Sequence, residues 1–243
     1  MAAPLSGHAL QLHLPLELAR EPTLWEYVPG PNREAVAAVR ATAAGQGESF
    51  LLLVGRPGTG KSHLLQAACL AAFEQGRQAH YVPLGRAGVA PGLLEDLDHL
   101  DLVALDDLHR IAGDPAWELA LFDLFNRLRE RGRALIAGAA EAPDALNLRL
   151  PDLRSRLQWG PRYRLLPLTD QDCEELLDAS ARRRGLALGP AVVRYIMTYS
   201  ARDPGSLMDL LARVDSLSLR EQRQVSIPLV RRVLAEAGVA DGG

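Results

Sequence analysis

The sequence predicts an α/β fold in two parts, a five-stranded parallel sheet with helices on both faces followed by a small all-α domain. Short apolar runs alternate with helical patterns between residues 50 and 166, which is the arrangement that builds a parallel sheet with crossover helices. The first run, Phe50 to Val54, leads into Gly55-Arg56-Pro57-Gly58-Thr59-Gly60-Lys61-Ser62 and then a helical pattern to about Gln75. That order of strand, glycine-rich loop and helix is the setting a phosphate-binding loop requires. After Pro167 only helical patterns occur.

Taken in order, residues 1 to 20 contain no long periodic element and form an N-terminal tail, and Pro29 to Asn32 is turn-like. Strands are expected at Phe50 to Val54, Ala79 to Pro83, Leu102 to Asp106, Ala134 to Ala137 and Tyr163 to Leu166. Between the third and fourth, Asp114-Pro115 starts a helix from Ala116 to Arg131. Its Trp117, Leu121, Leu124, Phe125 and Leu128 share one stripe and belong in the core. This nucleotide-binding part covers residues 21–167. Residues 168–243 form the helical domain. Thr169 and Asp172 make a capping box, and Gly185 stops the helix that follows. Pro190, Asp203-Pro204 and Pro228 open three more.

The loop carries the clearest chemistry. Gly55, Pro57, Gly58, Thr59 and Gly60 turn backbone N–H groups toward a phosphate chain, Lys61 sets a cation against the outer phosphates, and the Ser62 hydroxyl can ligate Mg²⁺. The helix N-terminus adds positive partial charge. The second signal is the strand that ends in Asp106-Asp107. In P-loop proteins the metal-side aspartate sits there, so Asp106 is assigned to the Mg²⁺ shell and Asp107 to the attacking water. A strand that merely ends in a polar turn is the plain alternative.

The 243 residues carry a formal charge of −3, which gives no global attraction to nucleic acid. Arg182 to Arg184 form a local basic cluster, read as a solvated helix end. The two cysteines, Cys69 and Cys173, lack metal-ligand spacing and read as thiols of a reducing compartment. The N-terminus shows no signal-peptide pattern, and no apolar run reaches membrane-span length, so a cytoplasmic location is expected.

Taken together, the loop, the strand ending in Asp106-Asp107, the segment Leu153 to Gly160 and the stretch Ala201-Arg202-Asp203 resemble the AAA+ ATPase domain of the bacterial initiator DnaA, from about residue 24 to 237. The run Leu153-Arg154-Ser155-Arg156-Leu157-Gln158-Trp159-Gly160 is similar to box VII of that family. On this resemblance Arg156 is an arginine finger and Arg202 the sensor 2 arginine of the lid. A finger presents an always-charged planar guanidinium to charge developing on a transferring phosphoryl group. Tyr27 and Val28, in the segment before the loop, are candidates for holding the adenine of ADP or ATP, with core packing of Trp25 to Pro29 as the alternative. The sensor 1 position is occupied by Gly138-Ala139-Ala140, where relatives usually carry a polar side chain. Weak intrinsic hydrolysis and a bound ADP follow from that departure.

The tail segment Gln11-Leu12-His13-Leu14-Pro15-Leu16 looks like the peptide that binds the bacterial sliding clamp. Gln11 would hydrogen-bond a pocket rim, Leu12, Leu14 and Leu16 bury apolar surface, and Pro15 limits the entropy lost on binding. The sequence ends at Gly243, soon after the lid, so a helix-turn-helix domain that reads an origin is not expected. The runs Ile111 to Arg127 and Asn147 to Leu153 are similar to the DnaA/Hda branch of regulators. The resemblance therefore implies a regulatory inactivator, itself not an enzyme, that meets DnaA on clamp-loaded DNA and drives hydrolysis of its ATP through Arg156. Two alternatives stand beside it: a self-sufficient ATPase or helicase-loader-like remodeller working as a homo-oligomer, and a nucleotide-stabilised adaptor that only tethers a partner to the clamp.

Overall fold

A computed structural model describes residues 22–236 of the chain. Five strands form one parallel sheet: β1 (Phe50–Val54), β2 (Ala79–Pro83), β3 (Leu102–Asp106), β4 (Ala134–Ala139) and β5 (Arg162–Arg164), in the order β2-β3-β4-β1-β5. β4 runs two residues past its expected end, and β5 is one short paired stretch at the sheet edge. The alternation of strand side chains sorts the core into two layers. Phe50, Leu52, Val103, Leu105, Leu135 and Ala137 face one side, where α3 (Pro115–Glu130) and α4 (Pro151–Leu157) pack. Leu51, Leu53, Leu102, Ala104 and Ile136 face the other, under α1 (Arg33–Ala43) and α2 (Lys61–Glu74).

α1 and α4 are additions to the expected elements. α1 buries Ala35, Val36, Val39 and Ala43, a narrow stripe of small side chains. Asn32, just before it, fastens this helix to the end of β5: its Nδ2 donates to the Leu166 carbonyl at 2.9 Å and its Oδ1 accepts from Leu166 N at 2.8 Å.

The helical domain follows the expected starts closely. α5 (Asp170–Arg183) opens on the Thr169/Asp172 capping box, α6 (Pro190–Tyr199) and α7 (Pro204–Glu221) each open on a proline, and α8 (Ile227–Glu236) completes the set. Cys173, Leu177, Ile196, Leu207, Val214 and Val230 form its separate core. Among the described residues no helix is long and apolar enough to cross a membrane. Both cysteines are free thiols. Burial pushes the Cys69 thiol up to about 12, which keeps it protonated.

Candidate functional site

The C-terminal ends of β1, β3 and β4 open into a cleft of about 570 Å³ that the helical domain closes from the other side. Pro57, Gly58, Gly60, Lys61 and Ser62 of the loop line it, with Tyr27, Val28, Asp107 and Ala140 from the base and Leu176, Pro204 and Met208 from the lid. Gly60 sits at φ +87°, and a Cβ there would lie 2.9 Å from Tyr27 Cε2. Glycine therefore permits both the turn and the close approach of the aromatic ring. Tyr27 in turn donates to the Thr59 carbonyl, and its ring lies 5.5 Å from that of His63. Of Trp25 to Pro29, Tyr27 and Val28 face the cleft, while Trp25 is 90 % exposed.

Lys61 is buried and donates to the carbonyls of Gly55 at 2.7 Å and Arg56 at 3.1 Å. Desolvation lowers the pKa of its ammonium, against the opposing charges of Asp106 and Asp107. Asp106 is 1 % exposed. Its Oδ2 accepts from the Tyr81 hydroxyl at 2.9 Å and its Oδ1 from Asp107 N at 2.9 Å. The Tyr81 hydroxyl also lies near the side chains of Gln66 and Ser62, so one phenol sits beside both oxygen groups assigned to Mg²⁺. Burial pushes its pKa to about 12 and keeps it a neutral donor. Hard oxygen donors completed by phosphate and water suit Mg²⁺, so Ser62 and Asp106 fit the ion. The ion would neutralise charge on bound phosphates. Among the described residues no cluster of three or more His, Cys, Asp or Glu could hold a metal on its own.

Asp107 adopts φ +60°, in the left-handed region that aspartate tolerates better than most residues. The kink turns its carboxylate into the cleft, and Oδ1 lies 4.0 Å from His109 Nδ1. His109 Nδ1 accepts from Ala140 N at 3.3 Å. At the end of β4, at the sensor 1 position, the chain has a backbone N–H that His109 already engages. Gly138 is required where it stands, since a Cβ would lie 2.8 Å from Asp106 Oδ1. His63, His109 and Tyr81 join the site without having been singled out from the sequence. None belongs to a motif, and only the packing of the strand ends brings them in.

Arg202 falls outside the cleft lining. Its Nη1 pairs with Asp170 Oδ2 at 2.6 Å and its Nε donates to the Met197 carbonyl, on the exposed side of the lid. The expected position of Arg202 is that of sensor 2; α7 begins two residues later, and its first turn offers Pro204 and Gly205 to the cleft. Asp203 caps that helix through Ser206 N at 2.9 Å, and its Cβ would lie 3.0 Å from a Cβ on Gly58. The Arg182 to Arg184 cluster is spent on ion pairs, with Asp178, Glu26 and Asp215 respectively.

Arg156 also lies away from the cleft, at the opposite ends of the strands. α4 ends beside Gly160, whose backbone presses on Phe50, the first residue of β1, whereas the phosphate loop follows Val54, the last. A five-residue strand separates them by on the order of 13 Å. The start of α4 is held by Glu118, a fully buried carboxylate of α3. It accepts from Arg149 N at 2.9 Å, Leu150 N at 2.7 Å and Gly113 N at 2.7 Å. α4 has no side-chain cap of its own, so this borrowed carboxylate replaces one. Gln11, Leu12, Leu14, Pro15 and Leu16 lie outside the described residues.

Residues 170–234 match the family model described as the Hda lid domain. The helical domain is thus similar to the Hda lid. The fold of the chain is shared by domain III of the Thermotoga maritima replication initiation protein DnaA, with a TM-score of 0.76 at 20 % identity over 88 % of this chain and 95 % of that one. A replication initiator DnaA bound to AMPPCP and single-stranded DNA gives 0.69 at 21 % identity, over 83 % and 68 %. The Thermotoga maritima RuvB branch migration motor gives 0.64 at 20 % identity, over 88 % and 70 %. The chain therefore shares the α/β fold of these solved structures and carries a helical domain similar to the Hda lid.

Proposed function

We propose that this chain is a nucleotide-binding regulator of replication initiation that promotes hydrolysis of ATP held by DnaA, supplying Arg156 as an arginine finger in trans. The observation that carries the reading is the separation of its two sites. The phosphate loop lies at one end of β1 and Arg156 beside the other, away from its own cleft, which is compatible with a group that acts in trans. The lid similarity and the DnaA-type fold support the same reading. Adenine nucleotide, ADP or ATP with Mg²⁺, would occupy the cleft: Tyr27 and Val28 beside the base, Gly55 to Gly60 and Lys61 around the phosphates, Ser62 and Asp106 at the metal. The Ala140 N–H is engaged by His109 and the sensor 1 position carries no polar side chain, which favours a regulator over a turnover enzyme. The tail residues Gln11 to Leu16 would dock the protein on the DNA-loaded sliding clamp, bringing it to DnaA after replication.

The assembly of Lys61, Asp106 and Asp107 around one cleft favours a second reading, an ATPase that turns over its own nucleotide. One assay separates the two. Labelled ATP is preloaded on DnaA and followed with this protein and clamp on DNA, beside R156A and Q11A. Clamp-dependent hydrolysis that disappears with both substitutions is expected. Hydrolysis by this chain alone, unaffected by R156A, would overturn the regulator reading.

A further inference from the structure

The ring of Trp159 carries two guanidinium groups. Arg129 Cζ lies 4.2 Å and Arg156 Cζ 4.3 Å from its centroid, with Phe122 a further 6.0 Å contact of Arg156. Neither arginine has an ion pair among the described residues. Two like charges gathered on one ring repel, and the quadrupole of the indole face offsets that repulsion. The ring is 55 % exposed although its backbone is firmly anchored. Leu153 and Leu157 are buried before it, and Trp159 N donates to the Arg156 carbonyl at 3.1 Å. Immediately after it, Gly160 approaches Phe50 so closely that a Cβ would lie 2.5 Å from the Phe50 carbonyl oxygen. A fixed backbone that presents a large aromatic face to surface cations suits an aligning platform better than core packing.

We propose that Trp159 is the positioning residue for Arg156, and that Arg129, seated on the same ring, is a second cation presented with it to the phosphate chain of a nucleotide bound by the partner. The proposal rests on the reading of Arg156 as a finger. A free arginine arm samples many rotamers, whereas stacking on a fixed ring confines it to orientations that face outward. A phosphate chain brought to this ring would meet two planar guanidinium forks, each able to bond phosphate oxygens in pairs.

The test is the hydrolysis of ATP preloaded on DnaA, titrated with the full-length protein in the presence of clamp on DNA, for the parent, R156A, W159F, W159L and R129A. Melting temperatures establish that each variant is folded. W159L is expected to lower the plateau rate about tenfold without raising the half-saturating concentration. W159F, which keeps an aromatic face, recovers most of the plateau, and R129A lowers it several-fold. Equal plateaus for W159L and W159F, a loss confined to half-saturation, or a parent-like R129A would overturn the proposal. If R156A itself retains full stimulation, the finger reading fails. If R156A is inactive while W159L and R129A match the parent, only the present proposal fails.

Discussion

A Cβ at position 60 would meet both a left-handed backbone and the Tyr27 ring. Gly60→Ala is expected to cost about 1–2 kcal/mol and to weaken ADP binding by displacing Tyr27, which chemical denaturation and calorimetric titration would register separately. Lys61→Ala removes a cation that the loop holds against its own carbonyls, so loss of measurable nucleotide binding is expected with the fold retained. His63 gives a pH signature. Burial holds its pKa below the ordinary 6.5, so the folded state favours the neutral ring while the unfolded chain protonates first. The stability it contributes is complete above about pH 6.5 and is lost as the pH falls from there toward the folded pKa. Denaturation midpoints measured across that window should fall on acidification, and less so in H63Q. The loop residues were readable from sequence because their types and spacing are themselves the chemistry. His63, Tyr81 and Glu118 were not, because their roles come from partners far along the chain, such as Arg149 for Glu118.

The strands declared themselves as apolar runs bounded by turn residues, and α3, α5, α6 and α7 by their caps and prolines. α1 escaped because its buried stripe is alanine and valine, with little contrast against its other face. α4 escaped because seven residues are too few to establish a period and its N-terminal cap is borrowed from another helix. That borrowing makes a prediction. Glu118→Ala leaves the backbone donors of Gly113, Arg149 and Leu150 without their acceptor, and a loss on the order of 3 kcal/mol is expected from the missing charge-assisted bonds. Glu118→Gln, keeping one acceptor, should lose less. Urea denaturation of the two variants would check the order, and equal stability of all three proteins would refute the clamp on α4.

The cleft is shared between the sheet and the lid, so a nucleotide that fills it ties two hydrophobic cores together. At a ligand concentration of 100 times Kd the folded protein gains about 2.7 kcal/mol, which a thermal melt with ADP should show as one shifted transition. Arg202 lies outside that cleft in an exposed ion pair, so Arg202→Ala should change ADP affinity less than about twofold. A large loss in titration would return the arginine to the site. The order of strands and helices was open to sequence reading, but the side of the lid on which Arg202 falls depends on where α7 starts and on Asp170 in α5. Asp203 stands where that arrangement meets the loop: it caps α7 and touches Gly58. The 18-residue α7 therefore begins directly against the loop that would hold a phosphate chain, so the helix cap of the lid and the nucleotide-binding turn share one boundary.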